Sequence, residues 1–131
     1  MYLVDTNIWL ERLLSQDRDE EVRLFLSRQP SNLLYVTDFA VHSIGIILTR
    51  LGRSSDLTLF VNDLFIHGAT NLVHLEPADT ADLLRAIDLY GFDYDDAYQY
   101  VAAYKLNLRI VSFDSDFDKT DKGRTAPKDI L

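Results

Sequence analysis

Four short apolar runs, separated by stretches of helical period, constrain this chain more than any other feature. They are Tyr2-Leu3-Val4, Leu33-Leu34-Tyr35-Val36, Leu72-Val73-His74-Leu75 and Leu108-Arg109-Ile110-Val111-Ser112-Phe113. Their Val, Leu and Ile content suits strands buried on both faces. Between them, apolar residues recur at helical spacing: Ile8-Trp9-Leu10 with Leu13-Leu14, then Val22, Phe25 and Leu26 in a helix expected over Glu20 to Ser27. Leu57, Phe60, Val61, Leu64 and Phe65 follow the same template, and Ala97, Tyr100, Val101 and Tyr104 share a face. Thr37 caps a helix running to about Leu51 and stopped by Gly52, and Pro77 with Asp79 introduces one that stops at Gly91. The tail, with Lys119, Lys122, Arg124 and Lys128, is polar and lacks period. Strands alternating with helices predict an α/β domain around a parallel sheet. Ligands in such sheets bind outside the carboxyl ends of the strands.

The length of 131 residues predicts one domain over 1–131. A chain of this size buries roughly two thirds of its unfolded surface, enough for a core without staples. Cysteine is absent, which excludes disulfides and thiolate metal sites and fits an intracellular, cytoplasmic location. No apolar run approaches the ~20 residues of a membrane span, so no membrane association is expected. Met1-Tyr2-Leu3-Val4-Asp5 has no basic region and does not read as a signal peptide.

The acidic side chains are lopsided, with 17 Asp against 4 Glu in a chain of net charge −8. Asp favours caps, turns and local hydrogen bonding over helix interiors, so the surplus marks element ends rather than helix faces. A pI near 4.6 disfavours binding nucleic acid through bulk charge. Nucleic-acid chemistry would need local basic groups or metal ions. Arg50, Arg53, Lys119, Lys122 and Arg124 are the candidate phosphate contacts, although a solvated surface also accounts for them.

Two predicted strands end directly on an acid: Asp5 after Tyr2-Leu3-Val4, and Asp114 after Ile110-Val111-Ser112-Phe113. Asp95 and Asp96 fall at a predicted helix N-terminus, where the dipole favours negative charge. Taken singly, each is accounted for as a cap. If the three places meet at one edge of the sheet, their carboxylates repel one another unless a hard divalent cation relieves them. Such a cation works on phosphate esters.

Tyr2-Leu3-Val4-Asp5-Thr6-Asn7 resembles the opening motif of PIN domains. Asp96-Ala97 with Ala102 and Ala103 resembles their third acidic motif, and Val111-Ser112-Phe113-Asp114-Ser115-Asp116-Phe117 resembles the fourth. The element order agrees over nearly the whole chain. The resemblance implies a three-layer α/β/α sandwich with a short parallel sheet and an Mg²⁺- or Mn²⁺-dependent ribonuclease acting on RNA. It further implies the toxin of a toxin–antitoxin pair of the VapC type, inhibited by a small antitoxin protein, and a possible homodimer. Carried over by position, Asp5, Asp96 and Asp114 are metal ligands and Asp116 an auxiliary catalytic acid. Thr6 and Asn7 orient Asp5, and Asp95 is the neighbour most easily confused with Asp96.

The pattern is broken in one place. The family usually carries a Glu six residues beyond the capping Ser or Thr of the helix after the second strand. Counting from Thr37 reaches Ser43, flanked by His42, and no Glu lies between Glu21 and Glu76. A neutral hydroxyl at Ser43 can hold water but supplies no charge, and His42 is an alternative group at the same place. The loss lowers the negative charge that captures a cation, and a catalytically weakened PIN-like interaction module is the second reading. A phosphotransfer domain of the receiver type ranks below both, because no Asp ends a middle strand: Val36 meets Thr37 and Leu75 meets Glu76.

Overall fold

The computed structural model describes residues 1–130. The chain runs β1 (Tyr2–Val4), α1 (Thr6–Leu13), α2 (Asp19–Arg28), β2 (Leu34–Thr37), α3 (Asp38–Arg50), α4 (Ser54–Val61), β3 (Asn71–Val73), α5 (Thr80–Tyr90), α6 (Tyr94–Leu106) and β4 (Arg109–Val111). The strands form one sheet in the order β3-β2-β1-β4. All neighbours are parallel, with Leu3 opposite Tyr35 on one side and Ile110 on the other.

Period-two alternation sorts the strand side chains into two cores. Val4, Leu34, Val36 and Val111 point to one face, where Ile8, Trp9, Val22, Phe25, Ala40, Ile44, Leu48 and Phe60 of α1 to α4 cover them. Leu3 and Ile110 point to the other, against Leu83, Ala86, Ala97, Val101 and Phe117. The sheet therefore lies between an α1–α4 layer and an α5–α6 layer, the three-layer sandwich expected. Strand and helix positions agree closely with the sequence pattern. Among the described residues, no helix is long and apolar enough to cross a membrane.

Four local features depart from that pattern. The third strand pairs only over Asn71–Val73, because the Leu75 N–H is taken by the Tyr98 hydroxyl at 2.9 Å rather than by a strand. The fourth helix does not continue regularly through Leu64 and Phe65; it widens into a π turn over Asn62–Ile66. α6 is buried at every position from Ala97 to Ala103, while Tyr104 is exposed. A helix clamped between the sheet and α5 has less than one solvated face, so it shows little amphipathic period. The tail is not featureless: Thr125 pairs with β4, accepting from the Ser112 N–H at 3.2 Å and donating to the Ile110 carbonyl at 2.8 Å. That single bridge covers the outer edge of β4 without leaving a side-chain period to read.

Candidate functional site

The pairing of β1 with the edge strand β4 places two strand ends side by side. The Asp5 N–H donates to the carbonyl of Val111, the last residue of β4, at 2.9 Å, so the ladder extends one residue beyond β1. Asp5 then turns out of the sheet as the N-cap of α1, its Oδ1 accepting from the Thr6 N–H at 2.8 Å. The same oxygen accepts from Gln99 Nε2 at 2.9 Å, and Oδ2 accepts from the Ser112 hydroxyl at 2.7 Å. Asp5 is 8% exposed. Burial raises its pKa, opposed by the donors Gln99, Ser112 and Thr6, with the Asp114 charge adding to the rise.

Ser112 is the hub of this arrangement. While donating to Asp5, its Oγ accepts from Asn7 Nδ2 at 3.2 Å and from the Asp114 N–H at 2.9 Å. Asn7 Oδ1 in turn accepts from the Phe113 N–H at 3.2 Å. The segment leaving β4 is thereby tied to the first turn of α1. Asp114 caps the short turn Ser115–Lys119, its Oδ1 accepting from the Asp116 N–H at 2.8 Å. On the other side, Thr37 caps α3 by accepting from the Ala40 N–H at 3.0 Å and donates to Gln99 Oε1 at 2.7 Å. Gln99 therefore has its amide orientation fixed by one donor and one acceptor.

Asp96 enters from the first turn of α6, one turn before Gln99. Carboxylate oxygens of Asp96, Asp114 and Asp116 all lie within 4.8 Å of one another, and those of Asp93, Asp95 and Asp96 do likewise. The Asp96 pKa is pushed up to about 7, first by burial and then by the charges of Asp114, Asp95, Asp5 and Asp116. The cluster thus carries more negative charge than its surroundings neutralise. Its donor set is all oxygen, which suits a hard cation such as Mg²⁺ or Mn²⁺ and not a soft one. Asp5 Oδ1 is saturated by two donors, whereas Oδ2 retains a lone pair. Asp5 lines the same cleft as Asp96 and Asp114 but is not among the carboxylates that meet within 4.8 Å.

A cleft of about 290 Å³ opens over the cluster, and Asp5, Thr6, Asn7, Ser43, Asp95, Asp96 and Asp114 are among the residues lining it. Asp116 stands at its edge, in contact range of Asp96 and Asp114. His42 does not line the cleft and is exposed on α3. Asp38, one turn before it, is engaged elsewhere, accepting from the Tyr98 hydroxyl at 2.8 Å. Gln99 and Ser112 belong to the site, yet motif reading passes over both. Each left a trace: Ser112 is the polar interruption of an apolar strand, and Gln99 is a buried amide three residues after Asp96.

Among proteins with curated descriptions, none matches this sequence. Solved structures do match its fold. VapC20 of Mycobacterium tuberculosis, a sarcin-ricin loop cleaving toxin, is 14% identical with a TM-score of 0.81, over 97% of this chain and 100% of that one. A toxin–antitoxin complex from Klebsiella pneumoniae gives 15% identity and a TM-score of 0.76, over 97% and 98% of the two chains. FitAcB from Neisseria gonorrhoeae gives 21% and 0.74, again over 97% and 98%. At these identities the likeness shows the fold alone. The sequence itself matches the model of the PIN domain over residues 2–123, and the chain belongs to that family.

Proposed function

We propose that this protein is a metal-dependent endoribonuclease and the toxin of a toxin–antitoxin pair. The observation that carries the reading is the meeting of Asp96, Asp114 and Asp116 within 4.8 Å over the buried Asp5, at the carboxyl ends of two neighbouring strands. Asp5, Asp96 and Asp114 would hold Mg²⁺ or Mn²⁺, with Asp116 as the auxiliary acid. Such an ion neutralises phosphate charge and makes water more acidic. The chain's own residues do the rest. Ser112, Gln99 and Thr6 aim the Asp5 carboxylate and oppose the burial that raises its pKa, and Asn7 fixes the backbone that carries Asp114. Asp116, more exposed than Asp96 and Asp114, is placed to take a proton from an attacking water. The toxin–antitoxin complex from Klebsiella pneumoniae and the toxin VapC20, similar in fold, support a small antitoxin protein and RNA as partners.

The test is cleavage of single-stranded RNA in Mn²⁺ and in EDTA, with calorimetry of Mn²⁺ binding. Cleavage should require the metal, and Asp5→Asn and Asp96→Asn should each lower it by about 10²-fold or more, the usual scale for losing a charge-stabilising group. An intact wild-type protein that neither binds Mn²⁺ at millimolar concentration nor cuts RNA would sink the reading.

The second reading, an inert PIN-like interaction module, has one observation in its favour. Ser43 lines the cleft where the family resemblance calls for a Glu. The discriminating variant is Ser43→Glu. Gain of metal affinity and cleavage over an inactive parent supports the module, and strong activity in the parent removes it.

A further inference from the structure

The cleft that would receive an RNA strand is lined by Asp5, Asp95, Asp96 and Asp114 and by no basic residue. A polyanion entering it needs cations at the rim. Several basic groups of the molecule are already committed to other partners. Arg53 donates to Asp56 and to the Leu13 carbonyl, each at 2.6 Å. Arg124 donates to the Ser112 carbonyl at 3.3 Å and pairs with Asp118 at 3.1 Å. Arg12 pairs with Asp19 at 2.7 Å.

Arg18 is different. Its guanidinium carbon lies 4.2 Å from the centroid of the Phe113 ring. The residue is exposed, and among the described residues its side chain forms no ion pair. Phe113 sits between Ser112, which holds Asp5, and Asp114, and its own N–H is fixed by Asn7. The ring that carries Arg18 is thus set by the same hydrogen bonds that set the acidic cluster. A guanidinium stacked on an aromatic face keeps its N–H donors at the edge, oriented for a bidentate contact with phosphate. Stacking also lowers the side-chain entropy lost on binding.

We propose that Arg18, stacked on Phe113, binds a backbone phosphate of the RNA strand beside the one at the acidic cluster. This rests on the ribonuclease reading above and adds the residue that anchors the substrate outside the cleft. The backbone N–H of Arg18, not its side chain, ties down the α1–α2 connection, donating to Glu11 Oε2 at 2.9 Å. Truncating the side chain therefore leaves the fold intact.

The experiment measures binding of a fluorescent single-stranded oligoribonucleotide over a range of salt, in EDTA and an Asp96→Asn background that together suppress turnover. Adding Arg18→Ala should weaken binding about three- to tenfold and make the log–log salt slope shallower by about 0.7, the loss of one phosphate contact on a single strand. Arg18→Lys should retain the slope, because the slope counts charges. Arg85→Ala, which removes a cation paired with Asp82 on α5, should leave it unchanged. Mn²⁺ affinity of the single variant Arg18→Ala should equal that of the parent. An unchanged slope in Arg18→Ala, or an equal change in Arg85→Ala, overturns the proposal. So does a parent that binds Mn²⁺ but not RNA. A wild-type protein that neither binds Mn²⁺ nor cleaves RNA overturns the function beneath it instead.

Discussion

Asp5 shows the opposing demands on a single residue in this site. Burial disfavours its charge, and donors from Thr6, Gln99 and Ser112 favour it. Removing a donor should therefore be felt twice. Ser112→Ala takes one hydrogen bond from Asp5 and strands the Asp114 N–H and the Asn7 amide, and should cost about 1–3 kcal/mol in urea denaturation. A loss near zero would mean that water replaces the hydroxyl. Asp96 makes the pH prediction. Its pKa is pushed from 3.8 up to about 7. Between those values the folded protein keeps a proton that the unfolded chain has released. Stability of the metal-free protein thus falls as pH rises through this window, and the fall is complete above about 7. Asp96→Asn abolishes that contribution, so the variant should gain stability on the parent between about pH 4 and about pH 8 in EDTA. A pH-independent difference between the two would contradict the shift. The acids were legible because their positions at strand and helix ends are local features of sequence. The supporting amide and hydroxyl were not, because their partners lie 94 and 107 residues away.

At the scale of elements, period decided what could be read. The short apolar runs of β1, β2 and β4 and the helical spacing and caps of α1 to α5 are local, and they place these elements within a residue or two. α6 shows its apolar spacing too, at Ala97, Tyr100, Val101 and Tyr104, but the burial of every residue from Ala97 to Ala103 exceeds the one face that spacing gives. The π turn at Asn62–Ile66 follows from a contact rather than a pattern. A Cβ on Gly68 would collide with the Asp63 carbonyl and lie 2.6 Å from the Leu64 carbonyl oxygen. The chain leaves the turn by passing close over its own backbone, where Thr70 N–H donates to the Leu64 carbonyl at 3.1 Å. Gly68→Ala should accordingly destabilise by about 1–3 kcal/mol, the cost of overpacking, read as a shift of the denaturant midpoint. An unaffected midpoint would show that the exit from the turn can shift.

On the scale of the whole molecule, the net charge of −8 now has two components. Part is ordinary solvated surface, as with Asp82 and Asp56 in pairs with Arg85 and Arg53. The other part is concentrated by topology. The strand order puts β1 beside β4, which brings Asp5 and Asp114 together although they are far apart in sequence, and α6 delivers Asp96 across the same end. The sheet order could not be read from any local segment, yet it is what brings two capping aspartates, Asp5 and Asp114, to the end of the sheet where Asp96 lies. With the usual Glu missing, Ser43 lines the same cleft, and the proposed cation would be held by the aspartates alone. The most direct measurement is a crystal soaked in Mn²⁺ and examined for anomalous scattering. A peak bonded to carboxylate oxygens of Asp5, Asp96 and Asp114, with Ser43 at the edge of its shell, is the predicted result. A peak elsewhere, or none at millimolar Mn²⁺ with the cleft open to solvent, would contradict the metal site.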